Sequence, residues 1–453
     1  MLTFRKRFLF WVIKEYIKRW KKSIALFFIL GIGSFFLLRF LLEIYLPKIP
    51  IGEKETIGIA GAYTVNTLPS FVLSNISSGL TYLDANGIPR PNMAESWEIK
   101  DNGKTYIFHL KKKITFTDNI TLSSDKVTYS FSDSTIERPD SQTVIFKLKE
   151  SYAPFLTKVS DPFFKKGFIG VGEYKVKKIE QNGNFVSSLI LASRYNDIKI
   201  KTYKLFYPTE DALKLAFVLG EITKAQGLSN SSFHDINFSA FPHVTVSKNI
   251  NYSRLVTLFY NTQDPVLSDK RLRQALSYAL PDSFEDAKRS YVPFSQTSWA
   301  YQESVNEPRF DIAHAKILLG ASSSASQSAQ LTLVIKSYPK YKKTADTIAA
   351  AWKKIGINSK IEFVDSVPSK FQIFLGYFQV PPDPDQYMLW HSKGDSNITR
   401  LNNQRIDKLL EEGRTNINLA ERKKTYADFI KYLLDEAPAS FLYFPITFDV
   451  TRK

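Results

Sequence analysis

The residue types that most often carry catalysis or metal binding occur in this 453-residue chain, but their spacing forms no recognised site. Its five histidines include no HExxH pair and no close cluster of the kind a zinc site needs. There is no GxSxG nucleophile motif and no P-loop, and Gly170 with Gly172 is too short a glycine pattern to imply phosphate binding. The carboxylates form no recognisable acid/base pair. The sequence therefore predicts no enzyme activity, no metal site and no cofactor.

The most suggestive polar residues are Asp383 and Asp385, which alternate with prolines in the segment Gly376–Tyr387. Two carboxylates in one loop can hold a cationic group through charge-assisted hydrogen bonds. Aspartate beside proline is also typical of a capped turn, and we favour that interpretation. Aromatic residues at five positions are further pocket candidates, with core packing the more common role for each. They are Tyr63, Trp299, Tyr377, Phe378 and Trp390.

The elements that must position these residues follow from the pattern of apolar residues. Around Trp97 and Phe108 apolar and polar residues alternate, which predicts two strands, and Asp101–Gly103 supplies a tight turn between them. A serine just before Asp125 predicts a capped short helix there. Longer helices are predicted at Thr209–Gly220, Lys343–Ile355 and Leu419–Glu436, the last capped by Asn418 and stopped by Pro438.

Six segments, taken in order, resemble the conserved segments of the family 5 extracellular solute-binding proteins of ABC transporters. The first is the Ala-Glu-Ser-Trp strand at 94–97 with the hairpin, loop and helix start that follow it. The others are Gly172–Val176, Leu258–Leu280, Phe310–Leu319, Pro382–Tyr387 and Arg405–Leu410. Each segment alone is a weak signal, but six in family order make the resemblance specific.

The resemblance implies an α/β fold, a two-lobed clamp of the periplasmic-binding-protein type II-like class with a small β-rich insert. Lobe I would comprise 56–79, 166–253 and 439–453, the insert 80–165, and lobe II 254–438. A ligand would bind between the lobes, and closure around hinge strands would report its presence to a membrane permease.

The N-terminal region predicts how such a domain is held at the membrane. The segment 24–46 is almost entirely apolar, and as a helix it would reach about 34 Å, enough to cross a hydrocarbon core of about 30 Å. Eight basic residues and one acidic residue precede it. By the positive-inside rule, 1–22 is then a cytoplasmic segment, 23–46 a transmembrane anchor, 47–55 a tether, and the remainder extracytoplasmic. A cleaved signal peptide is the alternative, against which the long basic region counts.

Composition narrows the possible partners. The chain has no cysteine, which excludes disulfides and thiolate metal sites. Its formal net charge is +17. Because no nucleic-acid motif accompanies this charge and the main domain is expected outside the cell, nucleic acid is not an expected partner.

The resemblance also makes one departure informative. In peptide-binding members of the family, an aspartate three positions before the Asp-Pro pair commonly receives the α-ammonium of the ligand. Val380 stands at that position here. An apolar side chain cannot pair with an ammonium group, and burying that group unpaired is costly. Asp383 or Asp385 would have to take over the role if peptides bind by their amino end.

These observations predict a membrane-anchored, extracytoplasmic solute-binding protein of an ABC importer. It would capture peptides or a related small solute between two lobes and deliver them to permease subunits in the cell membrane. The alternative is an anchored receptor or interaction protein that retains the clamp fold without transport. A cleft lined by tyrosine and tryptophan would favour the first function, and a filled cleft would favour the second.

Overall fold

The computed structural model describes residues 2–45, 54–195, 200–205, 207–303, 306–323 and 331–452. Contacts divide the described residues into two units: the N-terminal segment through Lys54 together with Ile200, and a main body that comprises the other described residues from Glu55 onward. The predicted tether, 47–55, lies outside the described residues except for its last two positions, and so does the final residue of the predicted anchor.

The N-terminal segment is one unbroken helix, α1 (Leu2–Tyr45), which runs through both the predicted basic segment and the predicted anchor. Within it, Phe8–Phe40 is 33 residues long and apolar enough to cross a membrane, and none of it is buried against protein. Length and composition of this kind suit a membrane anchor and also suit an N-terminal signal sequence.

Twenty strands are described in the main body. The first ten are β1 (Lys54–Ile59), β2 (Thr81–Leu83), β3 (Pro89–Pro91), β4 (Ala94–Lys100), β5 (Thr105–Leu110), β6 (Ser134–Glu137), β7 (Thr143–Leu148), β8 (Tyr174–Asn182), β9 (Phe185–Ser193) and β10 (Ile200–Lys204). The others are β11 (Lys224–Leu228), β12 (Ser232–Phe233), β13 (Ile236–Asn237), β14 (Val244–Ile250), β15 (Arg254–Tyr260), β16 (Ala287–Arg289), β17 (Thr332–Ser337), β18 (Asn358–Phe363), β19 (Ile373–Gln379) and β20 (Ala439–Arg452).

The helices of the main body lie against these strands. They are α2 (Ser70–Ile76), α3 (Phe155–Lys158), α4 (Glu210–Val218), α5 (Lys270–Tyr278), α6 (Ile312–Gly320), α7 (Lys342–Lys353), α8 (Tyr387–Trp390), α9 (Gln404–Thr415) and α10 (Leu419–Glu436).

A twelve-stranded mixed sheet runs through the main body in the order β18-β17-β19-β15-β20-β11-β1-β10-β9-β8, with β14 and β16 also paired to β20. Strands β17, β18 and β19 are parallel, whereas β15 is antiparallel to β19 and to β20. A separate four-stranded sheet, β4-β5-β7-β6, is built within residues 94–148.

Five apolar cores fill the layers between these elements. One core covers each face of the β15–β19–β17 half of the large sheet: Trp352 of α7 lies in the first and Trp390 of α8 in the second. A third core, which includes Phe108 and Phe146, is formed by buried residues that all lie within 80–163. The last two pack around Leu189 and around Phe217. The first core also contains Leu442 and the second contains Phe441, both from the segment 439–453 that is predicted for lobe I. The lobe and insert boundaries remain predictions.

Most local predictions are confirmed. Strands β4 and β5 pair as a hairpin from Ala94↔Leu110 to Lys100↔Thr105, and the turn residues Asp101–Gly103 all have positive φ. Asn418 caps α10 by accepting hydrogen bonds from the N–H groups of Ala420 and Glu421. Thr209 caps α4 in the same way.

The helix predicted near Asp125 is wrong, because only a single 3₁₀ turn forms there, at Ser124–Lys126. The guanidinium group of Arg138 donates hydrogen bonds to the carbonyl oxygens of Ser124 (2.8 Å) and Val127 (2.9 Å). A continuing helix needs those carbonyls for its own backbone bonds, so a residue distant in the sequence ends the helix after one turn.

Candidate functional site

The segment that follows β19 is a double turn. The carboxylate of Asp383 accepts a hydrogen bond from the N–H of Asp385 (3.0 Å), and the carboxylate of Asp385 accepts one from the N–H of Tyr387 (3.1 Å). Each aspartate therefore caps a turn of its own, as expected beside Pro382 and Pro384.

Both carboxylates are also paired with arginine. Arg422 of α10 forms a bidentate pair with Asp383, at 2.6 Å and 3.1 Å, and both residues are buried, with 5% and 6% of their surfaces exposed. Arg414 of α9 pairs with Asp385 at 2.9 Å. A ligand ammonium would have to displace one of these arginines and leave it without its counter-charge, which is strongly unfavourable for the buried one. Neither aspartate is available as a free carboxylate.

Aromatic rings enclose the two arginines. The Arg422 guanidinium lies 5.0 Å from the centre of the Trp299 ring, and that of Arg414 lies 4.3 Å from the Tyr387 ring. Burial by itself would lower the pKa of Arg422, but the charge and hydrogen bonds of Asp383, together with Tyr426, outweigh burial and raise the pKa. The group thus stays charged and bound to its carboxylate.

This cluster lies where the predicted insert meets the predicted lobe II. The N–H of Trp299 donates to the carbonyl of Asn86 (2.9 Å), and the N–H of Ala153 donates to the carbonyl of Arg414 (2.8 Å). Gly87 has a φ of +77°, and a Cβ there would lie 3.5 Å from the carbonyl oxygen of Pro382. Burial raises the pKa of Tyr152, beside Arg414, to about 12, so it stays neutral. These contacts give Trp299, Asp383 and Asp385 a role in holding two regions together.

Phe378 and Trp390 are core residues. Trp390 is 1% exposed and Phe378 is 6% exposed, and both pack against Phe441 of β20. The indole N–H of Trp390 donates to the side-chain oxygen of Gln386 at 2.7 Å. This position favours the core-packing interpretation over ligand contact for both residues.

Tyr377 and Val380 lie at the end of β19, on the edge of the sheet where β17 also ends. The ring of Tyr377 is flanked by two cations, the guanidinium of Arg254 at 4.6 Å and the ammonium of Lys340 at 4.8 Å. Val380 is half-buried and its N–H donates to the carbonyl of Ser253 (2.9 Å). Neither Arg254 nor Lys340 was among the residues predicted from the sequence.

Tyr63 stands apart from the other candidates, in the loop after β1. Its hydroxyl donates to the carbonyl of Ala60 (3.3 Å), and its own carbonyl accepts from Val186 (2.7 Å). The predicted site residues therefore fall into four places: the contact with the insert, a core, the edge of the sheet and this loop. A polar groove of ≈ 750 Å³ elsewhere, lined by residues such as Gln274, Asp428 and Lys431, contains none of them.

Within the described ranges, no group of three or more His, Asp or Glu side chains is placed to hold a metal ion. Most acidic residues near the candidate positions are already paired with cations.

Comparison with known proteins gives a consistent assignment. The model of the family described as bacterial extracellular solute-binding proteins, family 5 (middle region) matches residues 89–399. The chain is 22% identical over 472 residues to the dipeptide-binding protein of Escherichia coli, covering 83% of this chain and 87% of that protein.

Two solved structures are similar over most of the chain. NikZ from Campylobacter jejuni, in complex with Ni(L-His), has a TM-score of 0.70 at 22% identity and covers 88% of this chain and 94% of its own. The oligopeptide-binding protein AppA of Bacillus subtilis, in complex with a nonapeptide, has a TM-score of 0.65 at 20% identity, with 89% and 95% covered. The fold is thus the predicted two-lobed α/β clamp of the type II class.

Replacing Trp390 with alanine should destabilise the protein. Removing a fully buried indole from a packed core leaves a cavity, and we expect the free energy of unfolding to fall by about 3–5 kcal/mol in denaturant titrations. Met388→Ala is the matched control, because Met388 lies in the same short helix and is 42% exposed. If the stability of Trp390→Ala were unchanged, ligand contact would be favoured over core packing for this residue.

Asp383→Asn should also lower stability, since it keeps the shape of the side chain but leaves Arg422 buried without a counter-charge. We expect a loss of about 3 kcal/mol or more in the free energy of unfolding. Asp385→Asn is the comparison, with a smaller expected loss because the side chain of Arg414 is 28% exposed. If Asp383→Asn were as stable as the wild type, a structural role for this carboxylate would be excluded.

Proposed function

Because the chain belongs to the bacterial extracellular solute-binding proteins of family 5, we propose that it captures peptides, or a related small solute, for an ABC importer. The observation that carries the proposal is the family match over residues 89–399. The similarity to the structure of NikZ, which was solved with a bound solute, extends over 88% of this chain. Peptides are the favoured class because the Escherichia coli relative is a dipeptide-binding protein and the Bacillus relative was solved with a nonapeptide. These relatives are binding proteins, which supports binding without catalysis.

The protein would act at the outer face of the cell membrane. The apolar stretch Phe8–Phe40 is long enough to serve as an anchor, and the basic residues before position 23 favour a cytoplasmic amino end. The main body would then stand outside the membrane, where it could deliver its ligand to permease subunits.

The two halves of the large sheet supply the mechanism of such a clamp. One half carries Tyr63 and the other carries Tyr377 and Val380, and strand β20 connects them. A ligand that contacts both halves binds the closed arrangement better than the open one and shifts the population towards it. A permease that recognises the closed arrangement would respond only to the loaded protein.

The alternative function, an anchored receptor without transport, has one observation in its favour. Val380 cannot pair with an ammonium group, and Asp383 and Asp385 are already occupied by Arg422 and Arg414. A chain that had lost its ligand would have no need to keep a free carboxylate. The two functions differ in whether the purified protein binds a small solute at all.

Peptide binding should not depend on a free amino terminus. Because Val380 is apolar and Asp383 and Asp385 are paired with arginines, tri-alanine and penta-alanine should bind the detergent-purified full chain as tightly as their N-acetylated forms in calorimetry. A preference of tenfold for the free amine, equivalent to about 1.4 kcal/mol, would show that another carboxylate receives it. Absence of binding by any of the four, together with no co-purified solute in native mass spectrometry, would favour the receptor function.

The activity of a reporter enzyme fused at two positions tests the membrane topology. A phosphatase that folds only outside the cytoplasm, fused after Lys453, should be active, and the mature protein should retain its first 22 residues. The same reporter fused after Lys22 should be inactive, because that position precedes the span. A mature amino terminus near Pro47, detected by mass spectrometry, would identify α1 as a cleaved signal sequence.

A further inference from the structure

Helix α1 is longer than a membrane anchor needs to be. Its 44 residues reach about 66 Å, whereas about 20 residues cross a hydrocarbon core of about 30 Å. On the amino side of the predicted anchor the helix continues through residues 8–22, which contain five basic residues and one acidic residue. Basic residues before a span set its orientation, but they do not require the regular apolar positions that this extension also has.

Large apolar side chains in the extension share one side of the helix. At intervals of four, three and four residues, which is the spacing of a single helix face, stand Leu9, Ile13, Tyr16 and Trp20. We call these four residues the apolar face. Each of them is between 47% and 62% exposed, and the ring centres of Tyr16 and Trp20 lie 6.3 Å apart. A contiguous exposed apolar surface of this kind marks a site of interaction with a protein or a membrane.

Positive charge surrounds this apolar face. At 3.6 residues per turn, Arg19 and Lys21 stand at its two borders, and Lys14 and Lys18 stand on the opposite side of the helix. Lys18 lies 3.9 Å from Glu15, and both of these side chains are more than half exposed, so the pair neutralises little of the charge. An apolar face bordered by basic residues is typical of a helix that lies in the plane of a membrane surface.

The charge selects between a lipid surface and a second copy of the chain as the partner of the apolar face. Two copies packed face to face would bring Arg19 and Lys21 of each helix together, and like charges oppose that association. The cytoplasmic leaflet carries anionic lipids, which attract basic residues next to a span. Tyrosine and tryptophan, which form half of the apolar face, are enriched at the level of the lipid headgroups.

We propose that residues 8–22 bind the surface of the cytoplasmic leaflet, with the apolar face in the headgroup region and the basic residues beside anionic phospholipids. This inference rests on the proposed topology, in which the amino end of the chain is cytoplasmic. Because the predicted anchor crosses the membrane while this segment lies along it, α1 bends near Ser23 in an anionic bilayer. The segment adds a charge-dependent attachment to the purely apolar attachment of the span.

Because the chain has no cysteine, single thiols can report on the two sides of the helix in the full chain. Ile13→Cys places a thiol on the apolar face, and Trp11→Cys places one on the opposite side. In phosphatidylglycerol nanodiscs, Ile13→Cys should react with a water-soluble maleimide roughly tenfold or more slowly than Trp11→Cys. In phosphatidylcholine nanodiscs the difference between the two thiols should be much smaller, because the attraction to anionic lipid is missing.

Two double variants, each made in the Ile13→Cys protein, test the role of charge. Arg19→Gln/Lys21→Gln removes the basic residues that border the apolar face and should weaken the protection of the thiol several-fold in phosphatidylglycerol. Lys111→Gln/Lys112→Gln removes the same charge from the main body and should leave the protection unchanged.

The bend is measured as a distance between spin labels on Trp11→Cys/Phe35→Cys. These positions are about 36 Å apart along an unbent helix and about 25 Å apart if it turns through a right angle near Ser23. We expect the longer distance in phosphatidylcholine nanodiscs and the shorter one in phosphatidylglycerol nanodiscs.

The outcomes separate this inference from the anchor on which it rests. Equal reactivity of the two thiols in phosphatidylglycerol, or the longer label distance there, overturns the lipid contact and leaves the anchor intact. Protection of Ile13→Cys in both lipids, together with disulfide-linked dimers, also overturns it, because a second copy then covers the apolar face. A mature amino terminus near Pro47 in cells refutes the anchor and the lipid contact together, and mass spectrometry detects this result independently of the labelling.

Discussion

Strand β20 is the element on which the rest of the main body depends. Its first part, Ala439–Tyr443, pairs with β15, and its last part, Ile446–Arg452, pairs with β14. Its side chains enter three cores: Leu442 lies in one, Phe441 in the second and Val450 in the third. A single continuous strand therefore fixes the register of both halves of the sheet, and neither half is completed without it.

The two halves of the sheet join within this strand, at Pro445. Pro445 has no N–H to donate, and its carbonyl accepts a hydrogen bond from Asn251 (2.9 Å), in the link between β14 and β15. On either side of this point the pairing partner of β20 changes, and each core stays on one side of it. Bending at this point would alter the distance between the halves without opening a core, as hinge motion in a clamp requires.

What could be predicted from the sequence depended on how local the interactions are. The hairpin around Asp101–Gly103 and the cap at Asn418 involve neighbours within a few residues, and both were predicted correctly. The prediction of a helix near Asp125 was wrong because Arg138, which lies outside the local window, donates hydrogen bonds to the carbonyl oxygens that the helix would need. The type of fold was reached through a resemblance, since periodicity alone does not specify how twelve strands are ordered.

The candidate site was harder to predict because its interactions also join residues that are distant in the sequence. Asp383 and Asp385 were recognised as turn residues, but the arginines that neutralise them lie 39 and 29 positions away. Trp390 stood out as an aromatic residue near a polar loop, yet its burial depends on the packing of β20 against α8. Arg254 and Lys340 gave no signal, because a basic residue in a sequence does not show whether a carboxylate lies beside it.

The charges of the predicted lobe II therefore have to be interpreted as pairs and not as single residues. Judged by residue type, the loop after β19 looks acidic and suited to a cation. In the folded chain the carboxylates of this loop form ion pairs with Arg422 and Arg414. At the edge beside Val380, Arg254 and Lys340 have no counter-charge in the described structure. Valine at position 380 offers no attraction for an ammonium group, and the nearby cations add repulsion against it. Both features act in the same direction, so this edge of the sheet disfavours a cationic group.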